Sequence, residues 1–262
     1  VTLPESGQVP GPGGRVAFCV HELGTGMIRA QRADEVVPTA STYKLPLLLH
    51  IALLVEEGAL SWAQPFTLED RHKSWGSGVL RDLSVGLTFP LRDLCHLMTA
   101  LSDNTATDLL LDTLGLDGVN RRLAGLGFEQ TRLLPQHAAP GAGGRPPLAV
   151  GVTTPAEMAR LLRGIVLHEL CSSASSSVIL GMLGAQHDRS MIPRFLQPDW
   201  IYSGKTGSNE DLRADVGIVT DPQGRSFVLA LYCQHPTTFD WSVESPGTLT
   251  LAHLARRLLT SP

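Results

Sequence analysis

The chain has 262 residues, 43% of them hydrophobic, with a formal net charge of −4 and no cluster of lysine and arginine. That is enough apolar material for one large domain or two interleaved ones, and too much for a disordered chain. The charge balance gives nucleic acid no footing. No apolar run reaches the length of a membrane span, the longest, Leu45 to Val55, being broken by Pro46 and His50.

Residues 1–14 are rich in Pro and Gly and read as a lead-in. The opening carries no visible signal peptide and no initiator Met, which reads as a trimmed N-terminus. Arg15 to Glu22 alternates apolar and polar, and a glycine turn leads to a second run, Met27 to Gln31. This predicts a β-hairpin, with His21 and Glu22 as surface residues.

From Glu35 the pattern turns helical for about 150 residues. Leu45, Leu48, Leu49, Ala52, Leu53 and Glu56 recur at helical spacing, and Gly58 closes the run. Pro46 is tolerated only near a helix start, so the helix is expected to begin close to Ser41. Leu91 to Ala100 and Thr105 to Leu114 read as helices on either side of Ser102-Asp103-Asn104, which then lies on a short loop. Asn120 to Leu126 and Pro155 to Val166 are further helices, the latter capped by Thr153 or Thr154 with Pro155 at its first position. Leu133 to Val150, full of Pro, Gly and Ala, reads as a long loop, and loops of that length inside a domain are usually functional or disordered. Ser172 to Ser177 reads as a helix junction.

Strand patterns return at Trp200 to Ser208, Asp215 to Thr220 and Phe227 to Gln234, with a turn at Asp221-Pro222-Gln223-Gly224 and a closing helix over residues 246–259. Strands at both ends with helices between them imply an α/β layer built from both termini, residues 15–34 and 190–262, and an inserted all-helical layer, residues 35–189.

Ser41 and Lys44, three residues apart at a helix start, fall on one face. A serine beside a lysine in an apolar setting can act as nucleophile and base, because burial pushes an ammonium toward neutrality. The plain reading is an N-cap serine and a surface lysine, and Ser-x-x-Lys occurs by chance about once in a chain this long. Downstream, however, stand Ser102-Asp103-Asn104 and Lys205-Thr206-Gly207, in that order. Each tripeptide has roughly a 5% chance of appearing at average residue usage, and both behind the serine–lysine pair make roughly a one-in-a-thousand accident.

With these three motifs the chain resembles the class A β-lactamase family over nearly its whole length. Ala40, the Trp75-to-Leu80 segment and Thr153-Thr154-Pro155 also fall where relatives carry similar residues. The resemblance implies a β-lactamase-like α/β (α+β) fold, an antiparallel sheet flanked by terminal helices with an inserted all-helical subdomain. It implies a serine hydrolase that takes a small β-lactam or related amide or ester and acts as a monomer. It makes Ser41 the acylated residue and Lys44 the group that takes or relays its proton. Ser102 passes a proton to the leaving nitrogen. Asn104 holds Lys44 and the substrate amide. Lys205, with Thr206 and Gly207 beside it, adds positive charge and attracts a carboxylate. The backbone N–H groups of Ser41 and Ser208 form an oxyanion hole. Trp75 stands as an aromatic wall or an ordinary tryptophan, and Arg213 as a carboxylate clamp or a surface arginine. The compartment is periplasmic or extracellular if a signal peptide was removed, with the cytoplasm left open.

Two departures accompany the resemblance. The family's loop carries Glu-x-x-Leu-Asn, and counting from either side puts its glutamate position on Ala138. His137 is adjacent, and Glu129 is the nearest acid. Deacylation is therefore expected to be slow, which keeps a penicillin-binding-protein-like peptidase or esterase and a non-turnover sensor as alternatives. Cys95 matches a position that in some relatives is bridged to the nucleophile helix, but its counterpart here is Leu48. Cys19, Cys95, Cys171 and Cys233 are then expected as buried thiols. Gly204-Lys205-Thr206 as the end of a phosphate-binding loop fails, because Asp199 stands where that loop needs glycine. A metal centre fails too, His168-Glu169 lacking the second histidine, so no cofactor or metal is expected.

Overall fold

A computed structural model describes residues 14–136, 146–236 and 240–260. In chain order its strands and α-helices are β1 (Arg15–Glu22), β2 (Ile28–Gln31), β3 (Val37–Pro38), α1 (Lys44–Glu56), β4 (Pro65–Thr67), β5 (Thr88–Pro90), α2 (Leu91–Ala100), α3 (Asn104–Leu114), α4 (Leu116–Gly125), β6 (Arg132–Pro135), β7 (Ala149–Thr153), α5 (Pro155–Val166), α6 (Ser173–Gly184), β8 (Ile201–Asn209), β9 (Leu212–Thr220), β10 (Ser226–Gln234) and α7 (Pro246–Thr260).

The two chain ends build one five-stranded sheet in the order β2-β1-β10-β9-β8, antiparallel throughout. Central β10 is nearly all apolar because it is buried on both faces. Phe227, Leu229 and Leu231 meet α7 on one side, while Val228, Ala230 and Tyr232 join the larger core shared with the helical layer. The terminal helix expected at the C-terminus is α7. The N-terminal lead-in lies outside the described residues apart from Gly14.

The inserted layer is mainly helical, with α1 at its centre. Every residue from Lys44 to Leu53 is buried, so the helix is covered on all sides rather than along one stripe. The layer also contains strands, which corrects the all-helical expectation. β3, β7 and β6 form a small antiparallel sheet, and β4 pairs with β5.

The segment expected as one loop over 133–150 therefore has both its feet paired, β6 against β7. Three side chains fix those feet. Asn120 bonds both the N–H and the C=O of Leu133, each at 2.8 Å, as a neighbouring strand would. The Glu157 carboxylate, in the first turn of α5, accepts from the N–H groups of Glu129, Gln130 and Thr131. Asp108 of α3 accepts from Leu148 N at 2.9 Å.

Two further expectations change. The α-helix begins at Lys44, and Ser41 sits in a 3₁₀ turn, Ala40–Tyr43, that feeds it. Ser172 to Ser177 is no junction. Ser172 caps α6 by accepting from Ser175 N, and its own N–H and hydroxyl go to the Glu56 carboxylate at the end of α1. All four cysteines are free and buried. Among the described residues no helix is long and apolar enough to cross a membrane.

Candidate active site

Three elements bring the motif residues together: the 3₁₀ turn before α1, the turn between α2 and α3, and β8. Lys44 is the meeting point and is 0% exposed. Its ammonium donates to the Ser102 carbonyl at 2.7 Å, the Ser102 hydroxyl at 3.2 Å and Asn104 Oδ1 at 2.7 Å. Those are all the donors an ammonium has, and all point at the Ser-Asp-Asn turn.

That turn is bent for the purpose. Ser102 adopts φ +56°, a left-handed conformation costly for a serine, which presents its carbonyl and its hydroxyl to the same amine. Asp103 points the other way. It caps α3 by accepting from Ala106 N, and it holds Val79 N at 2.6 Å and Leu80 N at 2.9 Å. Asn104 uses its amide in both directions, accepting from Lys44 and donating to Trp75 O at 3.0 Å. The Trp75-to-Leu80 bank is thereby fixed against the start of α3, with the Trp75 side chain 51% exposed above it. Gly78 permits this seat, since a Cβ there would come within 2.2 Å of the Asp103 carboxylate.

β8 closes the other side. Gly207 lies against the 3₁₀ turn so closely that a Cβ would stand 2.7 Å from Thr39 O, 2.9 Å from Ser41 N and 3.0 Å from Thr42 N. Its glycine is required by that approach and not by a positive φ. The contact sets the Ser41 N–H beside the strand that carries Ser208. Ala40, at φ +42°, supplies the second strained residue, directly before Ser41. The Ser41 side chain is half-buried and has no hydrogen-bond partner among the described residues.

The electrostatics follow from burial. Lys44 is held well below the usual lysine range, first by loss of water and then by the nearby Lys205 cation, with Asp103 and Asp108 opposing. Lys205, also 0% exposed, donates to Thr206 O at 2.8 Å. Burial brings it down to about 8, against the pull of Asp188 and Asp215. Behind it, Asp215 accepts from Tyr202 OH at 2.6 Å and from Ile192 N at 2.9 Å. Burial raises that carboxyl to about 7 and drives the Tyr202 phenol up.

Of the residues singled out in the sequence, Ser41, Lys44, Ser102, Asn104, Lys205, Thr206 and Gly207 are brought together. Ser208, exposed at the end of β8, pairs in register with Arg213. Arg213 is 3% exposed and is no surface arginine. Its guanidinium donates to the carbonyls of Asn209, Leu212 and Asp240 and lies 5.2 Å from the Trp241 ring. By strand alternation it shares a face with Asp215, the side packed on α7. Ala138 and His137 lie outside the described residues. Sequence reasoning missed Asp108, Tyr202 and Asp215. Their one signal was a polar residue inside an otherwise apolar helix or strand. Among the described residues no group of three or more His, Cys, Asp or Glu is arranged to hold a metal ion.

Comparison with known proteins bears on the family and the fold. The family described as "Beta-lactamase enzyme family" matches residues 9–261. Beta-lactamase AER-1 of Aeromonas hydrophila is 27% identical over 221 residues, which cover 83% of this chain and 72% of that protein. The structure of an ancestral class A β-lactamase superposes with a TM-score of 0.82 at 28% identity, covering 95% of this chain and 94% of that one. PBP-A shares the fold, with a TM-score of 0.83 at 23% identity over 95% of this chain and 90% of that chain. The chain belongs to the beta-lactamase enzyme family, as a β-lactamase-like hydrolase of the class A kind.

Proposed function

We propose that the enzyme acylates itself on Ser41 with a β-lactam or a related amide or ester. The observation that carries this is Lys44, three residues after Ser41, wholly water-excluded, seated against Ser102 and Asn104, and pushed toward the neutral amine by burial and the Lys205 charge. The neutral amine takes the Ser41 proton as Oγ adds to the substrate carbonyl carbon. The carbonyl oxygen gains negative charge and is met by the N–H groups of Ser41 and Ser208, which the Gly207 contact holds close. Ser102, bonded to Lys44, passes a proton to the leaving nitrogen as the C–N bond breaks. Lys205 and Thr206 attract the substrate carboxylate, with Trp75 at the rim, while Arg213, buried on the α7 side and held by backbone carbonyls, is left out of the clamp. The names of the curated relatives, β-lactamases, support the substrate class.

Deacylation is the slow step in this reading, because Ala138 offers no carboxylate to activate water where the family's loop has one. General-base catalysis is worth about 10²–10⁴-fold, so the ester accumulates. The test is intact-protein mass spectrometry after brief exposure to a penicillin, followed over time. One equivalent of adduct is expected on the wild type and none on Ser41→Ala, with a burst of hydrolysis before a slow steady state. An adduct mapped to Ser102 or elsewhere overturns the site. Rapid linear turnover with no trapped adduct overturns the slow step. Permanent acylation without turnover assigns the chain to the sensor or penicillin-binding reading instead.

A further inference from the structure

The Thr206 hydroxyl carries one proton and two lone pairs, so it can meet a ligand as donor or as acceptor. A carboxylate offers only lone pairs, and Thr206 can hold one only by donating. Gln186 settles which way that hydroxyl works. It is 4% exposed and stands two residues past the end of α6. Its side-chain amide spans two partners: Oε1 accepts from Asp188 N at 3.3 Å, and Nε2 donates to Thr206 Oγ1 at 3.4 Å. A backbone N–H can bond only the oxygen of an amide, so the Asp188 contact fixes which end faces Thr206. An amide nitrogen accepts nothing, and the Thr206 proton is left for another acceptor. Among the described residues that hydroxyl has no second partner.

The segment that carries Gln186 is seated on its neighbours. Gln186 N donates to Leu183 O at 3.2 Å, and His187 N donates to Ala100 O, at the end of α2, at 3.1 Å. Gly184 approaches β8 so closely that a Cβ would stand 3.1 Å from Ser203 Oγ. Thr206 itself is 6% exposed in β8. We infer that Gln186 is a positioning residue for substrate binding. By donating to Thr206 Oγ1 it keeps the hydroxyl proton free for the substrate carboxylate, so that Thr206 is a donor before the ligand arrives. Lys205 supplies the charge at this contact and Gln186 the polarity of its neighbour. The inference rests on the reading of Lys205 and Thr206 as the carboxylate site.

Gln186→Met removes the amide and keeps a side chain of similar length, and Thr206→Val removes the hydroxyl and keeps its shape. The wild type, both single variants and the double variant are acylated with a penicillin at a series of concentrations and followed by intact mass. This separates the affinity of the complex that precedes acylation from the limiting acylation rate. Gln186→Met should weaken that affinity by about three- to tenfold, the worth of one hydrogen bond, and leave the limiting rate within about twofold. In the Thr206→Val chain the same substitution should change neither, because no hydroxyl is left to orient. A merely structural role in seating the loop weakens binding equally in both backgrounds, and that result overturns the proposal. So does an unchanged affinity in Gln186→Met where Thr206→Val is impaired. A Thr206→Val chain that binds the penicillin like the wild type shows instead that Thr206 is no carboxylate contact, and the inference falls with that reading. Should Gln186→Met not fold, Gln186→Glu is read through the same cycle. It keeps the Asp188 contact but accepts the Thr206 proton, so it should weaken binding by about tenfold or more, and by less in the Thr206→Val chain.

Discussion

Gly207→Ala places one methyl group where β8 crosses the turn that carries Ser41. The new carbon would stand 2.7 Å from Thr39 O, 2.9 Å from Ser41 N and 3.0 Å from Thr42 N, where ordinary contact begins at 3.4 Å. All three neighbours are backbone, so none can swing aside as a side chain would. The strand must retreat by roughly 0.7 Å, or the turn must, and overpacking of this sort costs about 1–3 kcal/mol. The larger effect falls on acylation. The retreat separates the Ser41 N–H from the strand bearing Ser208, and those two donors have to converge on one oxygen. Loss of a single oxyanion donor costs about 10²–10³ in rate. Acylation by a penicillin, measured by intact mass against time, should therefore slow by about 10²-fold or more. The midpoint of thermal unfolding should fall by only a few degrees. Acylation within about threefold of wild type would mean that the Ser41–Ser208 arrangement is not the oxyanion site.

Two further outcomes follow from the buried charges. Lys44→Arg should lose acylation by about 10² or more while the fold persists, since a guanidinium cannot serve as a base; a loss under about tenfold in the same mass assay points to another base. Asp215, raised by burial to about 7 from an ordinary 3.8, binds a proton in the folded chain that the unfolded chain has released between those values. Stability from this group is thus greatest at low pH and declines as pH rises toward 7, by about 2–3 kcal/mol between pH 5 and 7. Urea unfolding of Asp215→Asn at both pH values should lack that decline, and an identical pH dependence in wild type and variant would refute it.

Much of the molecule was legible because its strongest signals are local. The bounds of α2 and α5 coincide with Leu91 to Ala100 and Pro155 to Val166, where apolar spacing and, for α5, the Thr154 cap and Pro155 mark the ends. The three motifs were legible as chemistry because each lies within four residues. What failed was non-local. β4 and β5, and β6 and β7, pair across intervening segments that no short window spans, so 35–189 read as helix and loop alone. The serines at the start of α6 are poor helix formers, and the run read as a break. Tertiary contact overrides that propensity, with Ser176 wholly buried and Ser172 stapled to Glu56. Arg213 read as a clamp or a surface residue because sequence alone does not reveal which face of a strand is covered.

Two buried lysines lie at this site, and loss of water pulls both below the usual lysine range. A lone buried ammonium drifts to neutrality, and two near each other repel, so without help both would give up their protons. The proposed chemistry needs one neutral and one charged. Lys205 is backed by Asp215 and Asp188 on the α7 side of the sheet, away from Ser41, which holds it near 8 and charged at neutral pH. Lys44 lies on the near side, with Asp103 committed to backbone N–H groups and its ammonium donors spent on Ser102 and Asn104. In the proposed scheme Lys205 is the charged partner and Lys44 the one that yields. That order depends on which side of β8 each carboxylate occupies.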